Sequence, residues 1–211
     1  TGGTVTLSGA NTYAGDTSIT GGTVEVKSAS GLGSGSAVTI ADKAGTTLKV
    51  TNPNATPSAS NAINLTIGSL AGGGRTGGDL VLGEHTKLTL GSAGSTIYHG
   101  VISGAGALEK VDGTTSTTLA LSGKNTFTGG TTVTDGTITL HTSSALGTGS
   151  VSMADGTEML LGHGVNVAND ISLTGDVNFG FANDLLVEYL VVGGGGGGGG
   201  RIGGGGGAGG F

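Results

Sequence analysis

The chain has 211 residues, of which 49 are Gly, 2 are Pro and none is Cys or Trp; 35% are hydrophobic, 10% are charged, and the formal net charge is −6. Eight basic residues spread over that length cannot form a phosphate-neutralising patch, so nucleic acid is not an expected partner. The lack of cysteine excludes thiol chemistry and Cys-ligated zinc, and no apolar run is long enough for a membrane-spanning helix.

From its first residues the chain alternates apolar and polar side chains in very short runs. In order these include TVTL (4–7), TVEV (23–26), AVTI (37–40), TLKV (47–50), LVL (80–82), KLTL (87–90) and TITL (137–140). Gly, Asn, Asp or Ser turn signals bound each run. A period of two with Thr and Val in the strand positions predicts β-strands, and no window carries the helical period. The stretch GGGRTGGD (72–79) has the glycines of a phosphate loop but not its Gly-Lys-Ser/Thr ending, and it reads as a bulged turn.

The first third of the chain returns later. Residues 4–50 and 118–161 align with Leu7 on Leu121, Asn11 on Asn125, Tyr13 on Phe127, Gly15 on Gly129, Gly22 on Gly136 and Leu32 on Leu146. Short strands at regular spacing allow a sandwich, a barrel or a solenoid. Self-similarity, small aliphatic core residues and few aromatics favour an elongated, all-β parallel solenoid over residues 1–186. At roughly 20 residues per coil that gives about nine coils and a rod on the order of 40 Å long.

The chain closes on YLVVGGGGGGGGRIGGGGGAGGF, residues 189–211. Unbroken glycine is costly to order. Here, however, apolar residues lead into it and interrupt it, unlike a serine-rich linker. Residues 187–211 are therefore expected to form an extended, close-packed segment for assembly or binding, with Gly193, Gly200, Arg201, Ile202 and Phe211 as its candidate contacts. The pattern is already under way at residue 1, so the chain reads as part of a longer polypeptide.

LSGANTYAGDTSITGGTVEV and LSGKNTFTGGTTVTDGTITL resemble the passenger-associated repeat of bacterial autotransporters. The resemblance implies a right-handed parallel β-helix on the outside of a cell or virus. The glycine-rich end resembles segments of phage tail-fibre and tail-adhesin proteins. Together the two imply an extracellular structural or adhesive fibre, first a phage tail-fibre segment used in host attachment. The alternative is an autotransporter adhesin passenger, and the third reading is a β-helix polysaccharide depolymerase. A tail fibre implies self-association, as a homotrimer, with other virion proteins, and a glycan or protein receptor on the host.

Candidate chemistry is sparse. No two of His85, His99, His141 and His163 stand at metal-ligand spacing, and no cofactor or metal is expected. Asp42, Asp112, Asp135 and Asp155 sit in or beside glycine-containing turns, where turn chemistry accounts for them. A depolymerase needs two carboxylates about 5–9 Å apart, which only coil-to-coil stacking could supply, and an enzyme is not expected. The most repeat-faithful polar residues, Asn11 and Asn125, are expected to stack inside solenoid turns and satisfy one another and buried backbone groups. Gly15, Gly129, Gly22 and Gly136 are their turn partners.

Overall fold

A computed structural model describes residues 2–33, 35–55, 62–91, 93–113 and 116–182. The segment containing Gly193, Gly200, Arg201, Ile202 and Phe211 lies outside them. Every regular element among the described residues is a strand, and every strand pairs in parallel with one from a neighbouring coil. This is the parallel solenoid that the alternation and the repeat predict. Among the described residues no helix is long and apolar enough to cross a membrane.

Three sheets wrap one axis. The five-stranded sheet holds Thr4–Leu7, Thr23–Val26, Thr47–Val50, Asp79–Leu82 and Ile102–Gly104. The eight-stranded sheet holds Thr17–Ile19, Ala37–Ile40, Ser69–Gly72, Thr96–Tyr98, Thr118–Leu121, Thr137–Leu140, Glu158–Leu161 and Asn178–Phe181. The six-stranded sheet holds Ile63–Ile67, Thr86–Leu90, Ala107–Lys110, Thr131–Val133, Val151–Met153 and Ile171–Leu173. Each coil contributes one strand to the eight-stranded sheet, so the described chain makes eight coils. Coil length varies, longest where Thr47 stands above Asp79 and short again where Thr118 stands above Thr137, which is why fewer fit than a constant repeat predicts.

The cross-section changes along the axis. The first two coils run between the five- and eight-stranded sheets, with loops 8–16 and 27–36 crossing the remaining side. The middle coils place a strand on all three sides. After Ile102–Gly104 the strands alternate between the eight- and six-stranded sheets, and loops 122–130, 141–150 and 162–170 cross the side that the five-stranded sheet has vacated. The two copies of the repeat therefore occupy different faces: Thr4–Leu7 lies in the five-stranded sheet, its counterpart Thr118–Leu121 in the eight-stranded one.

Parallel register stacks like on like. Leu65, Leu88 and Leu108 form one inward row, and Leu119, Ile138 and Met159 another. All are buried, and the outward positions between them include Thr66, Thr89, Glu109 and Thr139. Leu88 is covered by a leucine on either side and has no route to solvent. Leu88→Ala is expected to cost about 2–5 kcal/mol, since close-packed stacked coils collapse poorly around a cavity. Urea unfolding followed by far-ultraviolet circular dichroism measures it, with the exposed Thr39→Ala, expected within about 0.5 kcal/mol, as reference.

Candidate functional site

The two repeat loops are built alike and placed differently. Asn125 is 2% exposed: its Oδ1 accepts the Ile102 N–H at 2.8 Å and its Nδ2 donates to the Ala145 carbonyl at 2.6 Å. One side chain thus ties together three successive coils, on the side where no strand continues the ladder. Phe127 packs fully buried beneath the same loop. Asn11 donates from Nδ2 to the Gly31 carbonyl at 2.7 Å, while its backbone N–H reaches the Ser30 carbonyl at 2.8 Å. No coil precedes it among the described residues. Tyr13, the counterpart of Phe127, is 41% exposed, and its hydroxyl shares a 2.8 Å hydrogen bond with Thr17.

Asn11 and Asn125 do not stack on one another, because their loops cross different sides of the solenoid. Each bonds to backbone groups of its own neighbouring coils. Asn169 plays the same part in the last loop, with Nδ2 donating to the Gly147 and Gly149 carbonyls at 3.2 and 2.7 Å. The repeat comparison missed it because the aligned copies end at residue 161.

Of the four glycines, Gly22 and Gly136 turn with φ of 72° and 79°, a region that L side chains disfavour. Gly129 lies against the Ala105–Gly106 backbone with no room for a Cβ, whereas Gly15 stands in open space. The GGGRTGGD stretch forms a tight turn, with Gly74 N–H bonded to the Gly77 carbonyl. Asp42 anchors it, accepting the Thr76 hydroxyl at 2.6 Å and the Thr76 and Gly77 amides at 2.9 and 3.1 Å. These bonds, the Thr76 hydroxyl first, hold the Asp42 carboxyl below the usual range.

Sequence reading placed Asp112 in an ordinary turn, and the structure corrects this. The Lys110 and Asp112 side chains are 2% and 0% exposed and paired with each other. Asp112 also accepts the Thr117 amide and hydroxyl at 2.7 and 2.6 Å, and Lys110 donates to the Thr117 hydroxyl at 2.9 Å. Lys110 occupies an inward row, with Leu90 on one side and Val133 on the other. The signal lay in ALEK (107–110): Lys110 shares its parity with Leu108, not with the outward Glu109.

Most other carboxylates serve the solenoid's own groups. Glu25 pairs with Lys27 and Lys49, and Asp16 and Asp155 accept the Ala37 and Asp176 amides. Burial pushes the Glu109 carboxyl up, but Lys87 at 2.7 Å and the Thr89 hydroxyl outweigh it and bring it below the usual range. The Tyr98 phenol is driven upward by burial and donates to the Gly78 carbonyl at 2.6 Å. His99, His141 and His163 are exposed and His85 is half-buried with φ of 52°. No group of three or more His, Asp or Glu among the described residues could hold a metal ion.

Comparison with known proteins bears on this geometry at two levels. The family model for the passenger-associated-transport-repeat matches residues 2–26 and 116–140, the two stretches containing Asn11 and Asn125. An adhesin BmaC autotransporter of Brucella suis biovar 1 (strain 1330) is 32% identical over 133 residues, which are 61% of this chain and 4% of that protein. No solved structure matches. In repeat and in homologous sequence the chain is similar to bacterial autotransporter passengers, which favours that reading over the phage tail fibre that its glycine-rich end resembles.

Proposed function

We propose that this chain is a stretch of a bacterial cell-surface adhesin's passenger region, exported from the cell and working as a stiff spacer that carries binding surface. The observation that supports it above all is the coincidence of both passenger-repeat matches with coils of one parallel solenoid. Each coil contacts only its neighbours, so such a rod can lengthen without redesigning its core. The role is mechanical and adhesive rather than catalytic: the described carboxylates with resolved partners are bound to lysines, threonine hydroxyls and backbone amides of neighbouring coils. Its partners on this reading are further coils of the same polypeptide and a receptor on a host surface.

The test is made on intact bacteria producing the full-length protein. An antibody to an epitope inserted at the exposed 155–156 turn is expected to label unpermeabilised cells, and external protease to remove the label. Deleting the full-length protein should then reduce attachment to host cells. Label found only after permeabilisation, or only on purified phage particles, would overturn the proposal.

A further inference from the structure

We propose that one corner of the solenoid is a binding groove for a linear anionic polysaccharide, one bearing a carboxylate or sulfate on each disaccharide. The proposal deepens the adhesive reading and rests on it for its biological setting. The groove follows the edge of the eight-stranded sheet, where the chain leaves Ser69–Gly72, Thr96–Tyr98, Thr118–Leu121 and Thr137–Leu140 in turn. Those four exits place Gly74 and Arg75, then His99, then Ser122 and Lys124, then Thr142 along one line parallel to the axis.

Charge singles this line out. The chain is acidic and has eight Lys and Arg in all. Lys27, Lys49, Lys87 and Lys110 are each in an ion pair, and Lys43, exposed and in none among the described residues, lies outside this groove. Arg75 and Lys124 are exposed, are in no ion pair among the described residues, and share a groove with no Asp or Glu in its lining. Asp42, bonded to the Thr76 and Gly77 amides, offsets part of the field at Arg75, and the two cations on one corner still offer paired contacts to an anionic ligand.

Shape and hydrogen bonding narrow the ligand. The floor is backbone: a Cβ on Gly123 would collide with the Gly100 carbonyl, so this stretch stays flat and open. Hydroxyls line the wall. Ser122 Oγ lies 2.6 Å from His99 Nδ1, and Thr142 Oγ1 donates to the Gly123 carbonyl at 3.1 Å. Val101 adds an apolar patch beside them, and a shallow, hydroxyl-lined surface of this kind suits the hydroxyls and C–H faces of a sugar better than a peptide's side chains. No Phe, Tyr or Trp lines the groove, and His99 is its only ring, which disfavours the stacking platform of a single-stranded nucleic acid.

Spacing agrees. Successive coils are about 4.8 Å apart, near the advance of one pyranose ring along an extended glycan. Arg75 and Lys124 are separated by two such steps, roughly 10 Å, so the cations recur at the interval of a disaccharide.

Isothermal titration of the 211-residue chain with size-defined hexasaccharides tests this. The probes are hyaluronan (carboxylate only), chondroitin sulfate (carboxylate and sulfate) and neutral maltohexaose. At least one anionic hexasaccharide is expected to bind, more weakly as salt rises, while maltohexaose does not. Binding of both anionic probes shows that the carboxylate suffices; binding of the second alone assigns recognition to sulfate. Arg75→Ser and Lys124→Ser should each weaken the bound probe about tenfold and together about a hundredfold. Lys87→Ser removes the same charge outside the groove and should change binding by less than about twofold. Melting temperatures of the exposed-residue variants should match the parent. Absence of binding to both anionic probes overturns the proposal, as does equal binding of maltohexaose or an undiminished double variant. Because these arms use purified protein, they can fail while surface display and attachment stand, and the reverse.

Discussion

Asp112→Ala is expected to destabilise the solenoid by about 3–5 kcal/mol, the largest loss from any single polar substitution in the described chain. The reason is what stays behind. Lys110 lies in the inward row that continues from Ile67 and Leu90 to Val133 and Met153, so its ammonium has no water to fall back on. Without Asp112 it keeps only the Thr117 hydroxyl and the Val111 carbonyl at 3.4 Å, and neither carries charge. Thr117 loses the acceptor of its buried amide at the same time. Gly136 leaves no slack, because its Cα abuts the carboxylate so closely that a Cβ there would overlap Oδ2.

The pair's own worth is a separate question, and a second variant answers it. Lys110→Leu with Asp112→Asn removes both charges, restores the aliphatic row and leaves an amide oxygen for the Thr117 N–H. Buried pairs replaced in this way are often neutral or stabilising. The double variant is therefore expected to lie within about 1–2 kcal/mol of the parent. Urea midpoints at unchanged slope, read by circular dichroism since the chain has no tryptophan, compare the three proteins. A loss below about 1 kcal/mol in Asp112→Ala would mean that water reaches the Lys110 ammonium after all.

How much of this was legible in the sequence depends on the distance over which each feature is encoded. Strands are local: TVEV or KLTL states both its conformation and its inward face by alternation, and the rows around Leu88 follow directly. The repeat adds that Asn11 and Asn125 do equivalent work. It does not say on which side of the rod they do it. That depends on how many strands each intervening coil contributes, and stretches such as 51–62 lengthen a coil without altering the alternation on either side. Lys110 was hidden by residue type, since lysine is ordinarily an outward residue, although its parity pointed inward. The groove was hidden by register. Arg75, His99 and Lys124 share no motif, and only coil-on-coil stacking brings them to one corner. The same limit kept any carboxylate pair beyond the reach of sequence, and the structure shows the acids bonded mostly to groups of neighbouring coils.

The two copies of the repeat supply an internal control for what the motif asparagine contributes. Asn125→Ala is expected to cost about 2–4 kcal/mol, because it orphans two buried backbone groups, the Ile102 N–H and the Ala145 carbonyl. Asn11→Ala removes one bond, to the Gly31 carbonyl, from a part-exposed site that water can enter, and should cost about 1 kcal/mol or less. The aromatic two residues on repeats the contrast, buried as Phe127 and 41% exposed as Tyr13. Asn125→Asp separates the two bonds of the interior copy: it can still accept from Ile102 but sets a carboxylate oxygen against the Ala145 carbonyl, so it should be no better than alanine. Hydrogen exchange at the Ile102 amide gives a local reading, since that proton loses its acceptor in Asn125→Ala and keeps it in Asn125→Asp. Equal losses for Asn11→Ala and Asn125→Ala would show that the motif acts through the conformation of its own loop. A large excess at residue 125 would show that it acts by joining coils, and thus that each added neighbour makes the same asparagine more valuable to the rod.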